Sequence, residues 1–404
     1  MLLTLLEWLV ALFLLVIAAG LGYHYFLLWA GRQPSLRREV RPSSATLRYA
    51  LAVPAHNEQG VIASTVQRLR QIDYPAERFD VHVVADYCSD DTALAARAAG
   101  AEVHVRDDGP RGRKGYALDW LIRRLLADPR RYDAIVVFDA DSRVDPGFLT
   151  AVDPVLAAGA QVVQGRHVIS NPHASHFAAL ADADMRLNNR IRNQAKENLG
   201  LSARLMGDAM AFRREVLEQH PWLEAGSLTE DRAYGIYLVT QGVRIRYTPD
   251  AISYGQAVAR WRDATPQRMR WYGGAFDMQR RYVPGLMKLA LRGNPDALDK
   301  LLELTLPPFS LLALGSVGLL LLQAVLAAAV SWPQGLLGVT AVLVLLAFLF
   351  PFLGLRATCA PGRAYRALLI GPFYVLWRAW IGLWVRLRYG RIGWVRTRRA
   401  GDAP

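Results

Sequence analysis

Asp133-Ala-Ile-Val-Val-Phe-Asp139-Ala-Asp141-Ser-Arg-Val-Asp145-Pro146 is the stretch whose reading decides the fold. Ile135 to Phe138 form a short unbroken apolar run, the pattern of a parallel strand buried on both faces. The run stops at Asp139 and Asp141, two acids separated by one residue. Open α/β sheets bind ligands beyond the carboxyl ends of their strands, so these acids arrive where a ligand is expected. Carboxylates that close repel each other unless a cation lies between them. Mg²⁺ or Mn²⁺ carrying a diphosphate would supply that charge, because hard cations take oxygen ligands. A second reading stands beside this one: a solvated strand-to-loop turn, with Asp145-Pro146 capping and opening a helix.

Working outward, strand-like runs occur at 49–53, 81–85, 102–105, 134–138, 160–164 and 243–247. Helix-like stretches, among them 61–72, 92–99 and 116–127, lie between them. Strand–helix alternation of this kind predicts an α/β domain built on a doubly wound, parallel or mixed sheet. Asp90 or Asp91 supplies a helix cap and Gly100 ends that helix. The chain has 404 residues, 52% of them hydrophobic and 21% charged, with a formal net charge of +13. Cys88 and Cys359 lie far apart in sequence, so no disulfide framework or zinc site is indicated. The arginines sit beside apolar runs, which favours an anionic membrane surface and phosphorylated ligands over nucleic acid. The aromatic residues also belong to membrane-facing stretches and make no base-stacking platform, so no nucleic-acid partner is expected.

Residues 2–30 are almost wholly apolar, interrupted by Glu7 and His24. A span needs roughly 20 such residues, and the run lacks the basic start of a signal peptide, so it reads as an anchor. Arg32, Arg37, Arg38, Arg41 and Arg48 follow it and place the next domain in the cytoplasm by the positive-inside rule. Residues 256–305 mix Trp261, Trp271, Tyr272 and Phe276 with Arg260, Arg262, Arg268 and Arg270. That mixture suits amphipathic helices in a membrane interface, and it equally suits a helix packed on the preceding domain. Two spans are expected at 309–330 and 336–355, joined by Ser331-Trp-Pro-Gln-Gly. The segment 367–385 is interrupted by Arg378 and precedes a very basic tail, so it reads as interfacial or re-entrant.

The remaining motifs lie at strand ends. Pro54-Ala-His56-Asn-Glu58 closes the first strand and Val84-Ala-Asp86-Tyr-Cys-Ser-Asp90 the second. Both could hold a nucleotide base and ribose. Lys114-Gly115 opens a helix behind Arg111 and Arg113, a site suited to a diphosphate. Gly207-Asp208-Ala, Thr229-Glu230-Asp231 and Gln267-Arg-Met-Arg270-Trp271 follow. In this order the motifs resemble the family 2 glycosyltransferases, in particular the membrane-embedded branch of cellulose, chitin and hyaluronan synthases. The Gln-x-x-Arg-Trp element is the specific part. Val163-Gln-Gly-Arg-His167-Val-Ile-Ser-Asn-Pro172 also resembles a segment of the cellulose synthase branch.

The resemblance implies a GT-A-type nucleotide-sugar-binding fold, divided as 1–31 anchor, 48–255 catalytic domain and 256–305 interface helices. A transmembrane or interfacial region at 306–388 and a cytoplasmic basic tail at 389–404 complete it. It implies that His56, Glu58 and Asp86 contact the nucleotide, with Asp86 on the uracil. Asp139 would help hold the sugar nucleotide and Asp141 would ligate Mg²⁺ or Mn²⁺. Asp231, beside Glu230, would be the general base. Gln267, Arg270 and Trp271 would close over the diphosphate with Lys114. For Asp231 the competing reading is a carboxylate favoured by a helix N-terminus, and for Trp271 an interfacial anchor. Single acids at Asp86 and an extra acid at Asp208, expected near the acceptor path, depart from the family pattern. His167 fits as a pocket residue, while His173 and His176 fit a helix start better than a zinc site. The expected enzyme is an inverting, metal-dependent transferase of the inner membrane. It would move a hexose or N-acetylhexosamine from a UDP-sugar to a growing β-linked glycan or, alternatively, to a membrane lipid. Membrane lipids and a second copy of the chain are its expected partners. A catalytically silent binding subunit is the rival from another class.

Overall fold

The computed structural model describes residues 1–33, 46–222 and 224–388. Arg37, Arg38 and Arg41, which orient the chain in the sequence reading, and the tail from 389 lie outside the described residues. The chain enters through α1 (Leu2–Gly31) and then alternates strand and helix. β1 (Tyr49–Ala55), α2 (Ile62–Leu69), β2 (Phe79–Asp86), α3 (Thr92–Ala98), β3 (Glu102–Arg106) and α4 (Lys114–Ala127) come first. Next are β4 (Ala134–Val137), β5 (Arg143–Val144), α5 (Phe148–Ala157), β6 (Val162–Ile169) and α6 (His176–Met185). A π-helical turn at Arg186–Ile191 leads into α7 (Arg192–Leu199), β7 (Met210–Arg213), α8 (Arg214–Gln219), α9 (Glu230–Thr240) and β8 (Ile245–Gly255). The long α10 (Trp261–Leu291) and α11 (Pro295–Thr305) precede α12 (Phe309–Ala329), α13 (Gln334–Ala357), α14 (Gly362–Ala367) and α15 (Gly371–Leu387).

The eight strands form one mixed sheet in the order β3-β2-β1-β4-β7-β6-β8-β5. β3, β2, β1 and β4 are mutually parallel, with Leu51 opposite Val81 on one side and Val136 on the other. Every residue of β1 and β4 is buried, which is why these segments read as unbroken apolar runs. Leu51, Val53, Val83 and Val136 pack on one face of the sheet. Ala50, Val84, Ile135 and Val137 pack on the other, against Leu118, Leu121 and Tyr234. Parallel strands end on the same edge of a sheet, so the residues after β1, β2 and β4 arrive together.

Several boundaries move relative to the sequence reading. β6 and β8 each run well past the expected 160–164 and 243–247, pairing in parallel through a register shift at Gly165 and Arg166. A Cβ on Gly165 would lie 2.6 Å from the Ala251 carbonyl oxygen, so only glycine admits that approach. β7, unforeseen, inserts antiparallel between β4 and β6. Asp90 caps α3 by accepting from the Thr92 amide at 3.0 Å. Asp145 accepts from the Gly147 amide, and α5 begins one residue later than that, at Phe148.

Among the described residues, four helical stretches are long and apolar enough to cross a membrane: Leu2–Gly31, Phe309–Ala329, Gln334–Ala357 and Gly362–Leu387. The first three pack on one another through Val10, Leu14, Ile17 and Leu21 against Leu312, Leu343 and Ala347. Gln323 donates to Thr340 Oγ1 at 2.6 Å and accepts from Trp332 Nε1 at 3.1 Å, satisfying the polar groups buried in that bundle. The fourth stretch includes the segment expected to be interfacial. Its α15 lies against α10 and α6, where Tyr374, Trp377 and Ile381 bury Ala179, Leu180 and Ala264. α10 therefore packs on protein along both flanks, since Met278, Tyr282 and Leu286 meet α9 and α11.

Candidate active site

A cavity of about 1260 Å³ opens at the edge where β1, β2 and β4 end. Its wall includes all eleven residues singled out from the sequence: His56, Glu58, Asp86, Lys114, Asp139, Asp141, Glu230, Asp231, Gln267, Arg270 and Trp271. They come from six separate stretches of chain, and the sheet brings them together.

The loop after β1 is tied to β2. His56 Nδ1 lies 2.6 Å from the Asp86 carbonyl oxygen. A carbonyl only accepts, so Nδ1 carries a proton. The Glu58 amide donates to Thr92 Oγ1 at 2.7 Å. The Asp86 side chain is buried and accepts from Arg106 Nη1 at the end of β3. Burial pushes the Asp86 carboxyl up from its ordinary value, while Arg106 pulls it down.

Lys114 is the first residue of α4. Its ammonium donates to Asp139 Oδ1 and, at 2.5 Å, to the Gly207 carbonyl oxygen. Burial would lower its pKa, but Asp139 and Glu230 more than offset that and hold it above the usual lysine range. Gly207 has φ +85°, a left-handed conformation suited to glycine. A Cβ there would lie 3.2 Å from Asp231 Oδ2 and 3.9 Å from Lys114 Nζ, so the three groups crowd one point. Glu230 and Asp231 occupy the first turn of α9. Burial and the neighbouring Asp231 push the Glu230 carboxyl up to about 7, against the pull of Lys114.

Asp208, expected near the acceptor path, lies in the cavity wall. It is buried, and its two oxygens accept from the Asp139 amide (3.1 Å), Ser142 Oγ (2.9 Å), His167 Nδ1 (3.0 Å) and Ser253 Oγ (2.5 Å). Burial opposes its ionisation, but His167, Ser253 and the Asp139 amide hold the carboxyl down at about 2. Asp208 thus clamps the Asp139–Ser142 turn to β6 and β8. Sequence reading flagged this acid without its role, and passed over Arg106 altogether. The signal was a Gly-Asp pair ahead of a short apolar run.

α10 closes the cavity on the side of α9. A Cβ on Gly274 would lie 2.3 Å from Thr229 Oγ1, so the α10 backbone touches the residue that opens α9. That contact carries Gln267, Arg270 and Trp271 to the wall. The guanidinium of Arg268 stacks 4.5 Å from the Trp271 ring. Asp139 and Asp141 offer only carboxylate oxygens, the donors Mg²⁺ and Mn²⁺ take. Two carboxylates are too few for an all-protein cage, which suits an ion that keeps waters and binds substrate phosphates. The residues present therefore fit such an ion.

Residues 47–274 match the family described as "Glycosyltransferase like family 2". Beta-monoglucosyldiacylglycerol synthase of Synechocystis sp. is 28% identical over 236 residues, which cover 56% of this chain and 47% of that protein. Its namesake in Trichormus variabilis is 26% identical over 290 residues, covering 69% of this chain and 59% of that one. Cellulose synthase 2 of Novacetimonas hansenii is 23% identical over 238 residues, covering 56% of this chain and 14% of the synthase. The chain thus spans only about half the length of the curated relatives it matches. Among solved structures, a mannosyltransferase from Pyrobaculum calidifontis in complex with GDP-Man and Mn²⁺ superposes with a TM-score of 0.57 at 20% identity. That superposition covers 93% of this chain and 99% of the mannosyltransferase, and it shows a shared GT-A fold. Since the matched span takes in more than half of the 404 residues and every strand of the sheet, the protein belongs to the family 2 glycosyltransferases.

Proposed function

We propose that this glycosyltransferase moves a hexose or N-acetylhexosamine from a UDP-sugar to a hydroxyl presented at the cytoplasmic membrane face. His56, Glu58 and Asp86 would hold the nucleoside at the ends of β1 and β2. Lys114, at the N-terminus of α4, and Arg270, from α10, would hold the diphosphate. Gln267 and Trp271 would close the sugar end. Asp139 and Asp141 would hold Mg²⁺ or Mn²⁺, which when bound neutralises charge on the diphosphate. Asp231 would take the acceptor proton as the new bond forms at the anomeric carbon and the bond to the diphosphate oxygen breaks. With one base and no enzyme nucleophile, displacement is direct, so an α-linked donor gives a β-linked product.

The observation that supports this reading most is the packing of Asp231 Oδ2 beside Gly207 and Lys114, with Lys114 in turn on Asp139. A base, a cation and the acid of the Asp-x-Asp pair share one wall. Positioned general-base catalysis contributes about 10²–10⁴-fold, so Asp231→Asn is expected to cut UDP release by about that factor while leaving UDP binding intact. Unchanged turnover in that variant would leave only a binding or scaffolding role.

For the acceptor, one observation favours a membrane lipid over a growing glycan. Among the described residues, no part of α1, α12, α13 or α15 lines the cavity. A chain that exports its own polymer needs membrane helices continuous with the catalytic pocket. Instead, the wall from Ala174 to Met185 backs onto the apolar cluster of α6, α10 and α15. Relatives named as monoglucosyldiacylglycerol synthases agree with a lipid, and the cellulose synthase relative keeps the polymer reading as the second. Incubating membranes with radiolabelled UDP-sugars separates the two. A single glycolipid spot supports the lipid, and a ladder of lengths supports the polymer.

A further inference from the structure

We infer that His82, Glu102 and His104 form a zinc site on the β2–β3 side of the sheet, away from the cavity wall. In the parallel register His82 stands opposite Glu102 and Val84 opposite His104. Alternation along each strand then puts all three side chains on the same face. His82 Nδ1 and His104 Nε2 are 3.1 Å apart. Glu102 Oε1 is 3.8 Å from the first and 3.7 Å from the second. The point equidistant from these three atoms lies about 2.1 Å from each, inside the range of zinc–nitrogen and zinc–carboxylate bonds.

The surrounding hydrogen bonds set the tautomer that ligation needs. Tyr132 donates its hydroxyl proton to Asp80 Oδ2 at 2.8 Å, so its oxygen is an acceptor. His82 Nε2 lies 2.9 Å from that oxygen and is therefore the protonated nitrogen of a neutral ring. The Nδ1 lone pair is left facing His104 and Glu102. A metal ligand on His82 would then be oriented by a Tyr132–Asp80 relay, the outer-shell arrangement that fixes ligating histidines. Arg130 holds the other Glu102 oxygen at 2.8 Å, and its charge is matched by Asp128 at 2.6 Å. Glu102 is the most exposed of the three side chains and His82 is buried, so the fourth position faces outward for water.

The site would tie the outermost strand to its neighbour. β3 is the end strand of the sheet and carries Arg106 to Asp86, so a bound ion would fix the strand that positions a nucleotide-site carboxylate.

The test uses full-length protein in detergent, stripped with chelator and titrated with Co²⁺ in excess Mg²⁺, so that the cavity carboxylates are occupied. One equivalent with the intense visible bands of four-coordinate cobalt is expected, displaced by one equivalent of Zn²⁺. His104→Gln and Glu102→Gln should each weaken that binding at least tenfold, and zinc should raise the melting temperature of the parent but not of these variants. Asp141→Asn should bind cobalt normally. Absence of the bands in the parent, or undiminished bands in a folded His104→Gln, overturns the proposal. So does loss of the bands in Asp141→Asn alone.

Discussion

Asp208 shows how one buried residue can hold the geometry of a site. Four donors converge on its two oxygens, and an asparagine there would turn one acceptor into a donor facing donors. Leaving a buried partner of this kind unpaired costs about 3–5 kcal/mol. Asp208→Asn should therefore lower the melting temperature and loosen the Asp139–Ser142 turn, with UDP release falling even where UDP still binds. Equal stability of variant and parent would remove the clamp from the account. Glu230 gives a pH dependence of opposite origin. Its folded-state value of about 7 exceeds the ordinary glutamate value of 4.5, so between these the folded protein binds the extra proton. Stability from this group is full below about pH 4.5 and is lost as pH rises through 7, on the order of 3 kcal/mol. Glu230→Gln removes that loss. The melting temperature of the parent relative to the variant should fall between pH 5 and 7, and a flat difference would contradict it. Eight of the eleven wall residues were legible because they lie at a strand end or helix start, and Gln267, Arg270 and Trp271, inside α10, because of their Gln-x-x-Arg-Trp spacing. Arg106 was not, since its partner Asp86 becomes visible only when β2 and β3 are set in register.

At the scale of elements, the apolar runs of β1, β2 and β4 told their own story because both of their faces are covered. β7 and β5 did not, with four and two residues and no period to read. β6 and β8 were read short because beyond the bulge β6 carries three half-exposed residues and β8 alternates buried and half-exposed ones, so the apolar run breaks while the pairing continues. α10 was the hardest, because its 31 residues contain Pro266 and Pro284 and are flanked by protein on both sides. Its docking depends on Gly274 against Thr229. Gly274→Val should force the helices apart, costing about 1–3 kcal/mol and displacing Gln267, Arg270 and Trp271 enough to cut turnover at least tenfold. Shortening the partner should relieve it. Gly274→Ala and Thr229→Ala together are expected to be less damaged than their separate effects sum to, with a coupling of about 0.5–3 kcal/mol. Strict additivity in melting and activity would mean the contact does not position the helix.

For the whole molecule, the question is which parts share a side of the membrane. α12 and α13 form a hairpin, so the chain returns after Ala357 to the side it left at Phe309. Contacts agree: Arg190 donates to the Thr358 carbonyl oxygen at 3.1 Å, and Ala183 packs with Leu355 and Ala364. Cys359 is exposed and should therefore share the compartment of the catalytic domain. The direction of α15 decides where the tail lies. Length and composition would let it cross, but Arg378, near its middle, lies 3.2 Å from the Tyr272 hydroxyl of α10 and 3.7 Å from Asp184 of α6. Both partners sit on cavity-bearing helices, and a charge so held belongs beside the catalytic domain rather than at mid-bilayer. α15 is then expected to run along the membrane surface on the catalytic domain's side, leaving its carboxyl end on the same side as Cys359. A membrane-impermeant maleimide should label Cys359, and a single cysteine introduced at Pro404, only in inverted vesicles. Gln334→Cys, at the hairpin tip, should react in intact cells. Labelling of position 404 from outside would instead mean that α15 crosses, and that the pairing of Arg378 with Asp184 is made within the membrane.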